Sequence, residues 1–178
     1  PGTPVPGLTP PTDTDPANYF GQQRDFGDLP SPLYNGVLGA YHVFADQNLR
    51  LGPSLTDAEA AAQPNATATG DDIGGTDDEA GVTIPASIVA GQTATFDVSV
   101  LNNNTLTQAT VVGFVDWNRD GDFLDPNETA SASVAAGFFG NTSLSFAVPA
   151  GAVTGQDLGA RFRISSNSTL DAVAAAND

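Results

Sequence analysis

From Gly81 onward, apolar and polar residues alternate in short runs separated by turn-forming residues. TATFDVSVL (93–101) places Ala94, Phe96, Val98 and Val100 on one face, and LGARFRIS (158–165) does the same with Leu158, Ala160, Phe162 and Ile164. Successive strand residues point to opposite sides of a sheet, so a period of two predicts strands with one buried face. GVTIPASI (81–88), ATVVGFVDW (109–117), TASASVAA (129–136) and TSLSFAV (142–148) are further strand candidates, with Gly, Asn, Asp and Pro in the intervening turns. No segment carries a convincing amphipathic helical repeat. The pattern predicts an all-β chain, an antiparallel β-sandwich of Ig-like or jelly-roll-like type.

Upstream the text differs. Residues 21–80 are loop-rich, with a short strand expected over GVLGAYHVF (36–44) and one helical turn at TDAEAAA (56–62). Residues 1–20 are proline-rich and nearly devoid of apolar content, which reads as an extended N-terminal arm or linker. Such an arm is either a loose terminus or a strap docked on a neighbouring subunit. The remaining residues, 21–178, read as a single domain with an acidic, loop-rich part (21–80) and a β-sandwich core (81–178).

Charge narrows the function classes. Against 21 acidic residues stand 5 basic ones, all arginine, for a net charge of −16. Binding to nucleic acid or anionic lipid depends on cations that neutralise phosphate, so neither partner is expected, nor is membrane insertion. The absence of lysine excludes Schiff-base chemistry and lysine cross-links. The absence of cysteine excludes disulfides, thiol catalysis and thiolate-bound metals. His42 is the single histidine and reads as a packed or hydrogen-bonded residue. With no nucleophile elbow and no apolar groove to tune a carboxylate pair, the chain is expected not to be an enzyme. A chain that begins at Pro1 fits a mature secreted protein, and also an expressed fragment. Five Asn-x-Ser/Thr sequons, at Asn65, Asn103, Asn127, Asn141 and Asn167, would accept glycans in a suitable host.

Two acidic constellations carry the candidate chemistry. In DWNRDGDFLDPNE, Asp116, Asn118, Asp120 and Asp122 alternate with other residues, Gly121 sits at the turn, and Asp125 and Glu128 follow. Oxygen ligands at every second position around a glycine turn are the arrangement that wraps Ca²⁺. The match departs from a helix–loop–helix site: Asn127 holds the twelfth position, the acid comes one later at Glu128, and a strand follows. The other reading is a loop in which Asp and Asn cap local backbone amides. The second constellation is Asp57, Glu59, Asp71, Asp72, Asp77, Asp78 and Glu79, seven acids within 23 residues and no base among them. It is either a solvated acidic loop or a second cation site.

DFGDLP (25–30), HVF (42–44), LGPSLTDAEAAAQPNATATGDDIGGTDDEAGV (51–82), FVDWNRDGDFLDPNE (114–128) and ARFRIS (160–165) follow one another in an order that resembles the bacterial extracellular GEVED domain, over about residues 25–178. The resemblance implies a secreted β-sandwich module of large surface proteins, without assigned catalysis. On that reading the GEVED signature itself is missing, because the chain stops at AAAND (174–178). An open sheet edge would then be filled by an arm from another copy, giving a filament by strand addition. The expectation is a calcium-stabilised, extracellular structural or adhesive module, in a homo-oligomer, a filament or beside other domains of a larger protein. The alternative is a calcium-dependent carbohydrate-binding module, whose platform would come from Tyr19, Phe20, Tyr34, Tyr41 or Phe138–Phe139.

Overall fold

The computed structural model describes residues 24–30, 34, 40–43, 48–55, 61–70, 81–166, 170 and 176–177. Among these the chain is built from strands and loops, with no helix. The N-terminal arm and most of the expected helical turn lie outside the described residues.

Two antiparallel sheets enclose the main core. In the first, β5 (Thr93–Asn102) runs beside β8 (Phe138–Ala147) over ten residue pairs, from Thr93 opposite Ala147 to Asn102 opposite Phe138. The other edge of β5 is shared by two short strands, β3 (Leu49–Leu51) and β4 (Val82–Thr83). In the second sheet, β6 (Ala109–Val115) lies between β7 (Thr129–Val134) and β9 (Ala160–Ser165). The inward residues of β5, Ala94, Phe96, Val98 and Val100, meet Val111, Val115, Ile164, Leu144 and Phe146 in one buried cluster. Residues from both sheets share it, and that shared core makes the pair a sandwich. Phe146 meets Phe96 and Trp117 edge-on at 5.5 and 6.0 Å, a geometry that sets ring edges against ring faces.

The strands follow the expected alternation, with shifts at their ends. β8 begins at Phe138, earlier than the alternation around Leu144 implies, and β4 keeps only two residues of the run 81–88. Of the strand expected over 36–44, the described part is β2 (Tyr41–Val43).

A third layer covers the outer face of the second sheet. It contains β1 (Arg24–Phe26), antiparallel to β2, with β10 (Ala176–Asn177) parallel to β2 on its other side. Beneath this layer lies a second, smaller core of Leu29, Tyr34, Val112, Phe114 and Phe123. Strand β6 is therefore apolar on both faces: Val111 and Val115 look into the sandwich, while Val112 and Phe114 look out under the cover. On β9 the outward residues are Arg161 and Arg163, both buried. Arg161 donates to the carbonyl of Tyr34 at 3.1 Å, and Arg163 donates to the carbonyl of Tyr41 and to His42 Nε2 at 2.9 and 3.1 Å. Burial, with the neighbouring Arg163 charge, pulls the Arg161 pKa down to about 10, so it remains charged at neutral pH. His42 is thus a hydrogen-bonded residue of the cover, as its sequence context suggested.

Candidate metal centre

The acidic loop leaves the sandwich at the end of β6 and returns at β7. Its two ends are fixed by backbone pairing: Val115 N–H donates to the Glu128 carbonyl and Asp116 N–H to the Gly159 carbonyl, both at 2.9 Å. Trp117, 1% exposed, anchors the loop in the main core and donates its indole N–H to the Asn127 carbonyl at 3.0 Å. Phe123 anchors it in the second core, 5.2 Å from the Tyr34 ring and 5.8 Å from that of Phe114. Between these two plugs the chain makes a tight turn, with Gly121 at φ 95°, a conformation costly for any residue with a Cβ.

The loop divides the expected ligands into a buried pair and an exposed rim. Asp116 and Glu128 are buried, at 0% and 1% exposure. Asn118, Asp120, Asp122 and Asp125 are exposed. On the rim the Asn118 amide donates to Asp120 Oδ2 at 2.9 Å and to Asp125 Oδ2 at 2.6 Å, so one side chain holds two carboxylates together. Asp122 turns aside to accept from Leu124 N–H at 2.8 Å. Arg119 donates to Gln156, away from these carboxylates.

Below the rim, Glu128 accepts from Trp117 N–H at 2.9 Å with one oxygen and from Asp125 N–H at 3.1 Å with the other. Burial pushes its carboxyl above the ordinary glutamate value, against those two amide bonds, and the nearby Asp116 and Asp125 charges add to the rise. Asp116 is turned into the loop: its Oδ2 accepts from Gly121 N–H at 3.0 Å and from the Tyr34 hydroxyl at 2.7 Å. Its Oδ1 is buried and meets no hydrogen-bond partner among the described residues. The Tyr34 hydroxyl has its pKa raised, first by burial and then by the Asp116 carboxylate.

The structure thus gathers Asp116, Asn118, Asp120, Asp125 and Glu128 into one loop and sets Asp122 slightly apart. Among the described residues, no three His, Asp or Glu side chains already converge as a metal cage. The donors nevertheless suit a hard cation: all are oxygens, one buried carboxylate oxygen has no partner, and an amide nitrogen stands between two carboxylates. Turning that amide over would exchange its nitrogen for an oxygen ligand. The second constellation, Asp57, Glu59, Asp71, Asp72, Asp77, Asp78 and Glu79, lies outside the described residues.

Sequence reasoning missed the part played by Tyr34, which it weighed as an exposed sugar platform. The residue is buried at 7% exposure, and its ring fills the space that Gly159 leaves open. A Cβ at position 159 would lie 2.5 Å from that ring. The available signal was the run Val111–Val115 of β6, apolar at consecutive positions, which requires cover on both faces.

No curated protein and no solved structure matches the chain. The reading that the chain stops short of the GEVED signature needs correction, which removes the premise on which the strand-addition scheme was argued. The family model of the GEVED domain matches residues 110–178, so the signature region is present, and the match takes in the whole of the acidic loop.

Proposed function

We propose that the chain is a non-enzymatic structural or adhesive module that works outside the cell and is stabilised by Ca²⁺ held in the loop between β6 and β7. The observation that carries this reading is the Asp116 carboxylate: fully buried, turned into a loop of further carboxylates, with one oxygen lacking a donor. Leaving a buried charged acceptor unpaired costs about 1–3 kcal/mol or more, and a bound cation removes that cost. Asp116, Asn118, Asp120, Asp125 and Glu128 are the residues that would hold it. The ion would supply charge neutralisation and a crosslink between the two ends of the loop.

At about 2 mM Ca²⁺ and a Kd of about 10–100 μM, binding adds on the order of 2–3 kcal/mol, or roughly 5–10 °C for a domain of this size. The test is thermal unfolding in excess EDTA and in Ca²⁺, with elemental analysis of the purified protein. A rise of that order, abolished by Asp120→Ala on the exposed rim and by Asp116→Ala beneath it, supports the reading. Equal melting temperatures and no metal in the protein would reject it.

The carbohydrate-binding alternative draws less support. Tyr34 is buried, and Tyr41 is packed 5.2 Å from Phe26 with the Arg24 guanidinium over its ring. Of the described aromatic candidates, Phe139 stands out in solvent, at 77% exposure.

A further inference from the structure

The cation loop and the N-terminal cover share two side chains. Tyr34 belongs to the covering layer, yet its hydroxyl is spent on Asp116, the first residue of the loop. Phe123 belongs to the loop, yet its ring fills the second core against Tyr34 and Phe114. Among the described residues, the main core contains none from 24–30 or Tyr34, whereas Leu29 and Tyr34 supply two of the five buried members of the second. The cover therefore stands on a small core of its own, and a layer with few buried contacts opens at lower free energy than the body beneath it.

Building on the calcium reading above, we infer that the 116–128 loop is a cation-operated latch for the described cover residues Arg24–Pro30 and Tyr34: occupancy of the loop keeps the cover closed over β6 and β9, and chelation lets it open while the sandwich stays folded. The differential lies in Asp116. With the cover closed, Asp116 Oδ1 is sealed from solvent without a donor, so the closed state gains from a cation. With the cover open, water reaches the carboxylate and Tyr34 no longer orients it, so the need for a cation and the affinity for one both fall. A ligand shifts such an equilibrium only by its difference in affinity for the two states, and the coupling is reciprocal.

Amide hydrogen exchange on the full chain, in about 2 mM Ca²⁺ and in excess EDTA, reads both layers at once. The reporters of the cover are Gly27 N–H, bonded to the Ala40 carbonyl, and Tyr34 N–H, bonded to the Pro30 carbonyl. Those of the loop are Trp117 and Gly121 N–H, bonded to Glu128 and Asp116. Those of the body are the paired amides of β5 and β8. Chelation is expected to speed exchange in the cover at least tenfold, to speed it in the loop, and to leave β5 and β8 unchanged. Tyr34→Phe keeps the ring and removes the hydroxyl. In Ca²⁺ it should loosen the cover severalfold and weaken Ca²⁺ binding in the same ratio. If Ca²⁺ protects the loop while the cover stays unmoved, the latch is wrong and the calcium reading stands. If β5 and β8 quicken as much as the cover, the layers open as one and the latch is again wrong. If no loop amide responds to Ca²⁺, the calcium reading fails and takes the latch with it.

Discussion

Glu128 and Asp116 are the two buried carboxylates of the loop, and the environment of Glu128 gives stability a pH dependence whose sign a bound cation would reverse. The Glu128 pKa is raised in the folded chain, chiefly by burial. A group of this kind binds its proton more tightly when folded, so its contribution is present at low pH and is lost as pH rises through the raised value. In EDTA, Glu128→Gln should therefore gain on the native chain as pH rises from the ordinary glutamate range through the raised value, where the native carboxylate ionises in place. In Ca²⁺ the ionised form is the one favoured, and the same comparison should run the other way. Melting curves of both proteins at a few pH values in each buffer decide it; parallel slopes in the two buffers would speak against a cation near Glu128. Gly159 gives a second test at this scale. Gly159→Ala drives a Cβ into the Tyr34 ring and should cost about 1–3 kcal/mol in urea unfolding, as overpacking commonly does.

Among the elements, β6 carries the most information, because it separates two cores. Phe123→Ala empties a loop residue from the smaller one and should cost about 3–5 kcal/mol in chemical denaturation. A comparable loss from truncating exposed Leu124, its neighbour at 88% exposure, would show that the effect belongs to the loop's sequence and not to its packing. The strands of the sandwich were legible because a single solvated face imposes alternation: Phe96, Val98 and Val100 on β5 and Ile164 on β9 fall where a period of two places them. The cover was not legible. Its exception is β2, which falls within the strand expected over 36–44; β1 spans three residues, too short for periodicity to register, and is fixed by pairing across distant sequence. Arg161 and Arg163 read as the solvent side of an amphipathic strand and are in fact buried, held by carbonyls of Tyr34 and Tyr41. In the loop, the spacing of Asp116, Asn118 and Asp120 marked them as candidate donors. It did not reveal which of them would be submerged, since that depends on Tyr34, 82 residues away.

Over the whole molecule, charge is segregated. Between Ala80 and Gln156 the ionisable residues are Asp97 and six members of the 116–128 stretch, namely Asp116, Arg119, Asp120, Asp122, Asp125 and Glu128. Within that stretch every charge but Asp97 falls on one loop, five carboxylates against Arg119. Monovalent salt screens exposed charges over a Debye length of about 8 Å at physiological strength but leaves a buried carboxylate untouched. Sodium chloride at about 0.5 M should therefore fail to reproduce the stabilisation given by about 2 mM Ca²⁺, whereas equal effects would reduce the loop to a generic acidic patch.

The separation of the two cores has a mechanical consequence. The sandwich begins at Asn48, bonded to Asn103, and at β3, whereas β1, β2, Leu29 and Tyr34 belong to the cover. Tension applied from the N-terminal side meets the three-pair ladder between β1 and β2 before it reaches the ten-pair ladder between β5 and β8. The cover would yield first, while the sandwich held. A module tethered at a surface would then extend and recoil under load without losing its fold, and on the calcium reading the force at which it gives way would follow the calcium around it.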